Sequence, residues 1–292
     1  MSDYLKGFLI TLAGVAVITP DTLLVRLMAA DGLTILFWRG VLSGAVILLG
    51  LWIFQRRNPV ALIVSAGWSG LLLAAIFALG TFFFLYSVTH TLVANALFLT
   101  STSPIFAAIF AWAFLGERPG LRTWATIAAT LAGIGIIAGG SAAGGQGNLI
   151  GDVAGLVDAV FLAATFTIAR ARKSVSMVPA MGMAGLLSAL LALAIGGAAA
   201  TEIAPDNWLW MAILGLIVAP GGFALLTTGP RYLPAPDVSL LLLLEAVTAP
   251  YLVWLAVGEY PGTPTLIGGA LIVGALALSN ATLLLRRKVQ TA

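Results

Sequence analysis

The chain has 292 residues, of which 14 are Lys or Arg and 11 are Asp or Glu, a charged fraction of 9% with a net charge of +3. Soluble domains carry about a quarter charged residues, and at 61% hydrophobic residues and a mean hydropathy of +1.08 a globule in water would expose more apolar surface than water tolerates. The basic residues lie singly or in short clusters between apolar runs, which excludes a nucleic-acid partner, and the lack of cysteine excludes disulfides, thiolate metal ligands and thiol nucleophiles.

A helix needs about 20 apolar residues to cross the hydrocarbon. Breaking the sequence at charges and Gly/Pro clusters yields ten predicted spans: 5–28, 33–54, 62–86, 92–115, 122–139, 150–169, 178–199, 208–229, 236–257 and 263–285. The first runs past a signal-peptide core, through Pro20 and Asp21, without a small-residue cleavage site, and reads as a span. With a cytoplasmic N-terminus, Lys6, Arg56, Arg57, Arg118, Arg122, Arg170, Arg172, Lys173, Arg231, Arg286, Arg287 and Lys288 all fall on the cytoplasmic face. The opposite loops carry Asp31, Glu202, Asp206 and Glu259, as the positive-inside rule requires. The expected location is the cytoplasmic (inner) membrane, multi-pass, with both termini cytoplasmic.

An ionisable group inside the hydrocarbon persists only with a partner, a wet cavity or a role. In the first span, Thr19-Pro20-Asp21-Thr22 loosens the helix at the level of a carboxylate, because Pro20 cannot donate to the carbonyl of Ala16. Asp21 reads as a cavity group, or as an interface aspartate beside a kink. Arg26, nearer the boundary, reads as a snorkelling or gate residue. In the second span Arg39 follows Phe37-Trp38; its guanidinium holds a substrate carboxylate bidentately, snorkels, or pairs with Asp21, Asp158 or Glu245. Trp38 and, in the third span, Tyr86 are candidate cavity residues or packing aromatics. Gly80 is a candidate hinge, and His90 belongs to a short outer connection.

In the fourth span Asn95 and Thr102 share a face, and Ser103-Pro104 breaks the helix near its middle. These polar groups face a cavity or only bond back to their own helix. Asp158 lies in the sixth span with Phe161 and Thr165 on its face. Pro220-Gly221-Gly222 in the eighth span, with Pro20 and Pro104, completes the hinge or gate candidates. Glu245 sits in the middle of the ninth span within a leucine run. It is the chief candidate for proton coupling, with Asp158 beside it, since a carboxyl in that environment can bind and release a proton; its alternative is to fix helix packing.

The chain repeats itself. A shift of 142 positions carries Gly116-Glu117-Arg118-Pro119-Gly120 onto Gly258-Glu259-Tyr260-Pro261-Gly262, Trp68 onto Trp210 and Gly80 onto Gly222. A shift of 144 carries Gly7 onto Gly151 and Arg26 onto Arg170. The chain thus divides into two five-span units, 1–145 and 146–292. Because five is odd, the second enters from the opposite face, giving inverted topology, the architecture of alternating access.

The paired Gly-Glu-x-Pro turns, the preceding Ser103-Pro104-Ile105 and Glu245-Ala246-Val247, and Phe37-Trp38-Arg39 resemble the drug/metabolite transporter superfamily, EamA type, along essentially the whole chain. The resemblance implies an all-α integral membrane protein of ten helices in two inverted five-helix repeats. It also implies a central substrate cavity, peripheral fifth and tenth helices, and transport by alternating access. An intramembrane enzyme is disfavoured by a single histidine and by the lack of a His-Glu-x-x-His or Gly-x-Ser-x-Gly run. A channel is disfavoured by the inverted repeat. The expected function is secondary transport of a small metabolite, first an amino-acid-like zwitterion complemented by Arg39 and the carboxylates, and alternatively a cationic drug or amine. Export, with proton coupling or exchange, is the expected mode. No cofactor or metal is expected; the expected partners are a small-molecule substrate, the lipid bilayer and protons, in a monomer or homodimer.

Overall fold

Long apolar runs satisfy their backbone groups internally, and in hydrocarbon only a helix does so within one segment. The computed structural model describes residues 3–56, 58–90, 93–142 and 149–257, together with 263, 267, 268, 270–272, 274, 275 and 278. Its regular elements are helices, and no strand occurs among the described residues. The first span is divided into α1 (Asp3–Ile18) and α2 (Asp21–Met28), with Pro20 at the start of the second piece. Next are α3 (Gly32–Gln55) and α4 (Pro59–His90), the latter interrupted at Gly67. The fourth span is also divided, into α5 (Val93–Thr100) and α6 (Ser103–Leu115). Beyond it lie α7 (Leu121–Ala142), α8 (Leu149–Ala171) and α9 (Val178–Gly196). The eighth span runs through α10 (Trp208–Ile213), a π-helical turn at Leu214–Val218 and α11 (Ala219–Thr228), and α12 (Ala235–Val257) comes after it.

Among the described residues, seven helical stretches are long and apolar enough to cross a membrane, and Ser103–Leu115 and Leu121–Ile136 are shorter apolar helices. The second Gly-Glu turn and most of the predicted tenth span lie outside the described residues. Trp68, Phe114 and Leu255 are 75%, 76% and 78% exposed. Apolar exposure on that scale belongs against lipid.

The helices pair in a pattern that survives exchange of the two halves. α4 lies against α8 as α11 lies against α1, and α6 lies against α8 as α12 lies against α1. The corresponding second helices, α3 and α9, pack on each other, as do α6 and α12. That is the contact pattern of two units related by a twofold axis passing between these self-paired helices. The α3–α9 crossing depends on glycine: a Cβ on Gly185 would come within 2.7 Å of the Gly40 carbonyl oxygen, so the two backbones touch.

The two divided spans matter most for function. After α1 the backbone turns through Thr19-Pro20, where Thr19 Oγ1 donates to the Val15 carbonyl and the Leu24 amide to the Pro20 carbonyl. This turn sets Asp21 at the start of a new helix. After α5 the chain turns through Ser101-Thr102 before Pro104 in the first turn of α6. Both breaks lie at bundle depth and border one cavity, where non-helical backbone in a membrane is tolerated.

Candidate functional site

The cavity between α3, α4, α8, α11 and α12 holds about 860 Å³ of empty space, its open mouth included. Four charged side chains line it: Asp21, Arg39, Asp158 and Glu245.

Arg39 Nη2 donates to Asp21 Oδ2 at 2.5 Å, and the two residues are 4% and 1% exposed. Arg39 is therefore held inside the bundle and does not snorkel. Its guanidinium carbon also lies 5.2 Å from the centre of the Phe223 ring, a cation–π contact. The pair is incompletely used: Asp21 Oδ1 and Arg39 Nη1 are buried with no hydrogen-bond partner among the described residues. One acceptor and one donor of the paired residues thus keep hydrogen-bonding capacity beyond the pair itself.

Asp158 projects from α8, and its Oδ2 accepts from Thr100 Oγ1 at 2.9 Å at the end of α5. A carboxylate is in this way tied to the broken fourth span. Gly80 on α4 packs directly beside it: a Cβ there would lie 3.0 Å from Phe161 Cβ and 3.3 Å from Asp158 Oδ1. Glu245 is half-buried in the opposite wall, on α12.

The remaining wall combines rings and hydroxyls. Phe77, Phe84, Phe161, Phe166 and Phe223 supply apolar surface, with Phe77 and Phe223 packed edge to face at 4.7 Å. Thr81, Ser101, Thr165 and Thr227 each donate to the carbonyl four residues back along the chain. Their hydroxyl oxygens keep lone pairs and are acceptors toward the cavity.

Other residues singled out in the sequence lie elsewhere. Trp38 Nε1 donates to the Thr201 carbonyl, and its ring meets Trp208 edge to face. Tyr86 stacks on His90 in the last turn of α4, with ring centres 3.9 Å apart. Thr102 Oγ1 donates to the Leu99 carbonyl. These three are not among the cavity-lining residues described. The side chain of Asn95 lies outside the described residues. Of the hinge candidates, Pro20 and Pro104 sit at the two helix breaks, Gly80 in the cavity wall, and Pro220, Gly221 and Gly222 directly after the π-helical turn. Thr100, Ser101, Thr227 and the phenylalanine ring set were not singled out as site residues. Such residues are common in every span, and only packing decides which of them face a cavity.

No cluster of three or more His, Cys, Asp or Glu side chains suited to a metal ion occurs among the described residues. The model of the EamA-like transporter family matches residues 5–139 and 149–281. No curated protein matches the chain. One solved crystal structure aligns with a TM-score of 0.75 at 18% identity, covering 96% of this chain and 98% of that one, a likeness of fold.

Proposed function

Because this chain belongs to the EamA-like transporter family, and is thus a membrane transporter of the drug/metabolite type, we propose that it carries a small amino-acid-like zwitterion by alternating access. The observation that carries this reading is the incompletely used Arg39–Asp21 pair on the cavity wall. Arg39 Nη1 receives the substrate carboxylate, and Asp21 Oδ1 with nearby hydroxyl oxygens receives its ammonium group. The phenylalanine rings take an apolar side chain. Arg39 provides a geometry that lysine lacks, because its planar fork holds Asp21 through one nitrogen and offers another.

Glu245 and Asp158 couple transport to protons. Each lines the cavity on a different helix, and a proton taken up on one face and released on the other links substrate movement to a gradient. Export is the direction proposed, and placement in the cytoplasmic membrane with both termini cytoplasmic draws on the basic residues gathered at one end. There Arg170, Arg172 and Arg231 bond neighbouring segments, and Lys6 lies over the Tyr232 ring. The units exchanged in the cycle are 1–145 and 146–292.

A second reading, a cationic amine as substrate, draws on the excess of carboxyl groups over guanidinium in the cavity. Reconstituted protein tested against matched zwitterionic, cationic and anionic solutes separates the two. Saturable counterflow of the zwitterion alone supports the first reading, and counterflow of the amine alone supports the second.

A further inference from the structure

We propose that Glu117 and Arg170 form a latch that seals the basic end of the cavity and parts in each transport cycle. The proposal rests on the transporter reading and concerns residues outside the binding cavity.

Glu117 comes directly after Gly116, which ends α6 with φ +65, a conformation that favours glycine, and the Glu117 amide donates back to the Ala111 carbonyl at 3.1 Å. This turn aims the Glu117 side chain at α8, where Arg170 Nε donates to its Oε1 at 2.9 Å. Arg170 Nη1 also donates to the Pro230 carbonyl, at 3.3 Å, in the connection between α11 and α12. One guanidinium therefore ties the first repeat to two separate segments of the second. Beside it Arg122, at the start of α7, stands 3.7 Å from Asp237, at the start of α12.

The elements joined here also line the cavity. Phe166 lines it four residues before Arg170 on α8, and Thr227 lines it three residues before Pro230. The ionic cluster is thus the floor on which the cavity walls converge. Opening the cavity toward this end separates the α6–α7 turn from α8, and Glu117 from Arg170.

The pair is suited to repeated breakage. The Arg170 and Glu117 side chains are 15% and 34% exposed, so water replaces the lost contacts on separation, whereas the Arg39–Asp21 pair is enclosed. The sequence carries a similar charge couple a second time. The shifts relating the repeats take Arg170 to Arg26, exposed at the end of α2, and Glu117 to Glu259, which lies outside the described residues.

The cysteine-free chain makes the test direct. Thr165→Cys places one thiol in the cavity wall, to be labelled in vesicles with a membrane-impermeant maleimide from either face. Adding Glu117→Gln or Arg170→Gln should raise labelling from the Glu117 face at least fivefold and lower it from the opposite face. The charge swap Glu117→Arg with Arg170→Glu should return both rates to within twofold of the starting values. Unchanged labelling overturns the latch, and labelling raised from both faces together overturns it in favour of a static anchor. The readout needs no transported solute, so an absence of transport counts against the functional reading and leaves the labelling result to judge the latch.

Discussion

Arg39 of α3 meets Asp21 at the first helix break, with Nη2 of the arginine 2.5 Å from Oδ2 of the aspartate, and each keeps one buried polar atom without a partner among the described residues. A buried pair gains little over an apolar isostere, yet removing one partner leaves an uncompensated charge at a cost of about 3–5 kcal/mol. Asp21→Ala and Arg39→Ala should each lower the unfolding temperature of the purified protein strongly. The double substitution should lose less than the sum of the two. Additive losses would mean that the pair is not coupled.

Glu245 lines the cavity from α12. Glu245→Gln removes a titratable group while keeping its shape, so solute uptake driven by an imposed pH gradient should fall to background while solute exchange at equal pH continues. Gradient-driven uptake at the original rate would take Glu245 out of the coupling role.

Thr100 holds Asp158 through a 2.9 Å hydrogen bond. Hydrogen bonds to charged groups contribute about 1.5–3 kcal/mol to stability, so Thr100→Val should lower the unfolding temperature of the purified protein measurably. Thr100→Ser keeps the hydroxyl and should restore most of that stability. Failure of serine to rescue would mean that the methyl group, not the hydroxyl, matters.

Gly80 packs so closely on α8 that even a Cβ would press on Phe161 and Asp158. Gly80→Val forces Phe161 and Asp158 to shift in the cavity wall and should reduce affinity for a solute with a bulky side chain more than for glycine itself. Equal losses for both would place the substrate's side chain elsewhere.

Tyr86 stacks on His90 away from the cavity. Tyr86→Leu should leave solute affinity within about twofold, since surface substitutions outside named features shift energies by about 0.5 kcal/mol. A larger loss would bring the C-terminal end of α4 into the binding site.

Membrane residence and the helical class are legible in the sequence because lipid rewards unbroken apolar runs and internal backbone bonding. The repeat is legible because Gly116, Trp68 and Gly80 recur at one spacing. Asp21, Arg39, Asp158 and Glu245 stand out because a charge in hydrocarbon needs a reason, and folding brings all four to one cavity. Side-chain direction stays hidden in the sequence. Trp38 and Tyr86 are apolar-bodied residues of the same spans, yet their rings turn to Trp208 and His90. Thr100 and Thr102 are two residues apart and differ in role, the first reaching Asp158 and the second its own helix. The π-helical turn before Pro220 adds a residue to one turn of the eighth span and rotates the α11 side chains about the helix axis, which no apolar pattern announces. Glu117 and Arg170 read as loop charges until the α6 turn and α8 are seen to meet.

The central claim, a zwitterion held on the Arg39–Asp21 pair, is tested most directly by counterflow into proteoliposomes with a matched set of solutes. Phenylalanine, phenethylamine and 3-phenylpropionate share a ring suited to the phenylalanine-lined wall and differ only in which charged group they carry. The account predicts saturable counterflow of phenylalanine, lost in Arg39→Lys, with neither single-charge analogue reaching a tenth of its rate. Counterflow of phenethylamine equal to or above that of phenylalanine, undiminished by Arg39→Lys, would contradict it.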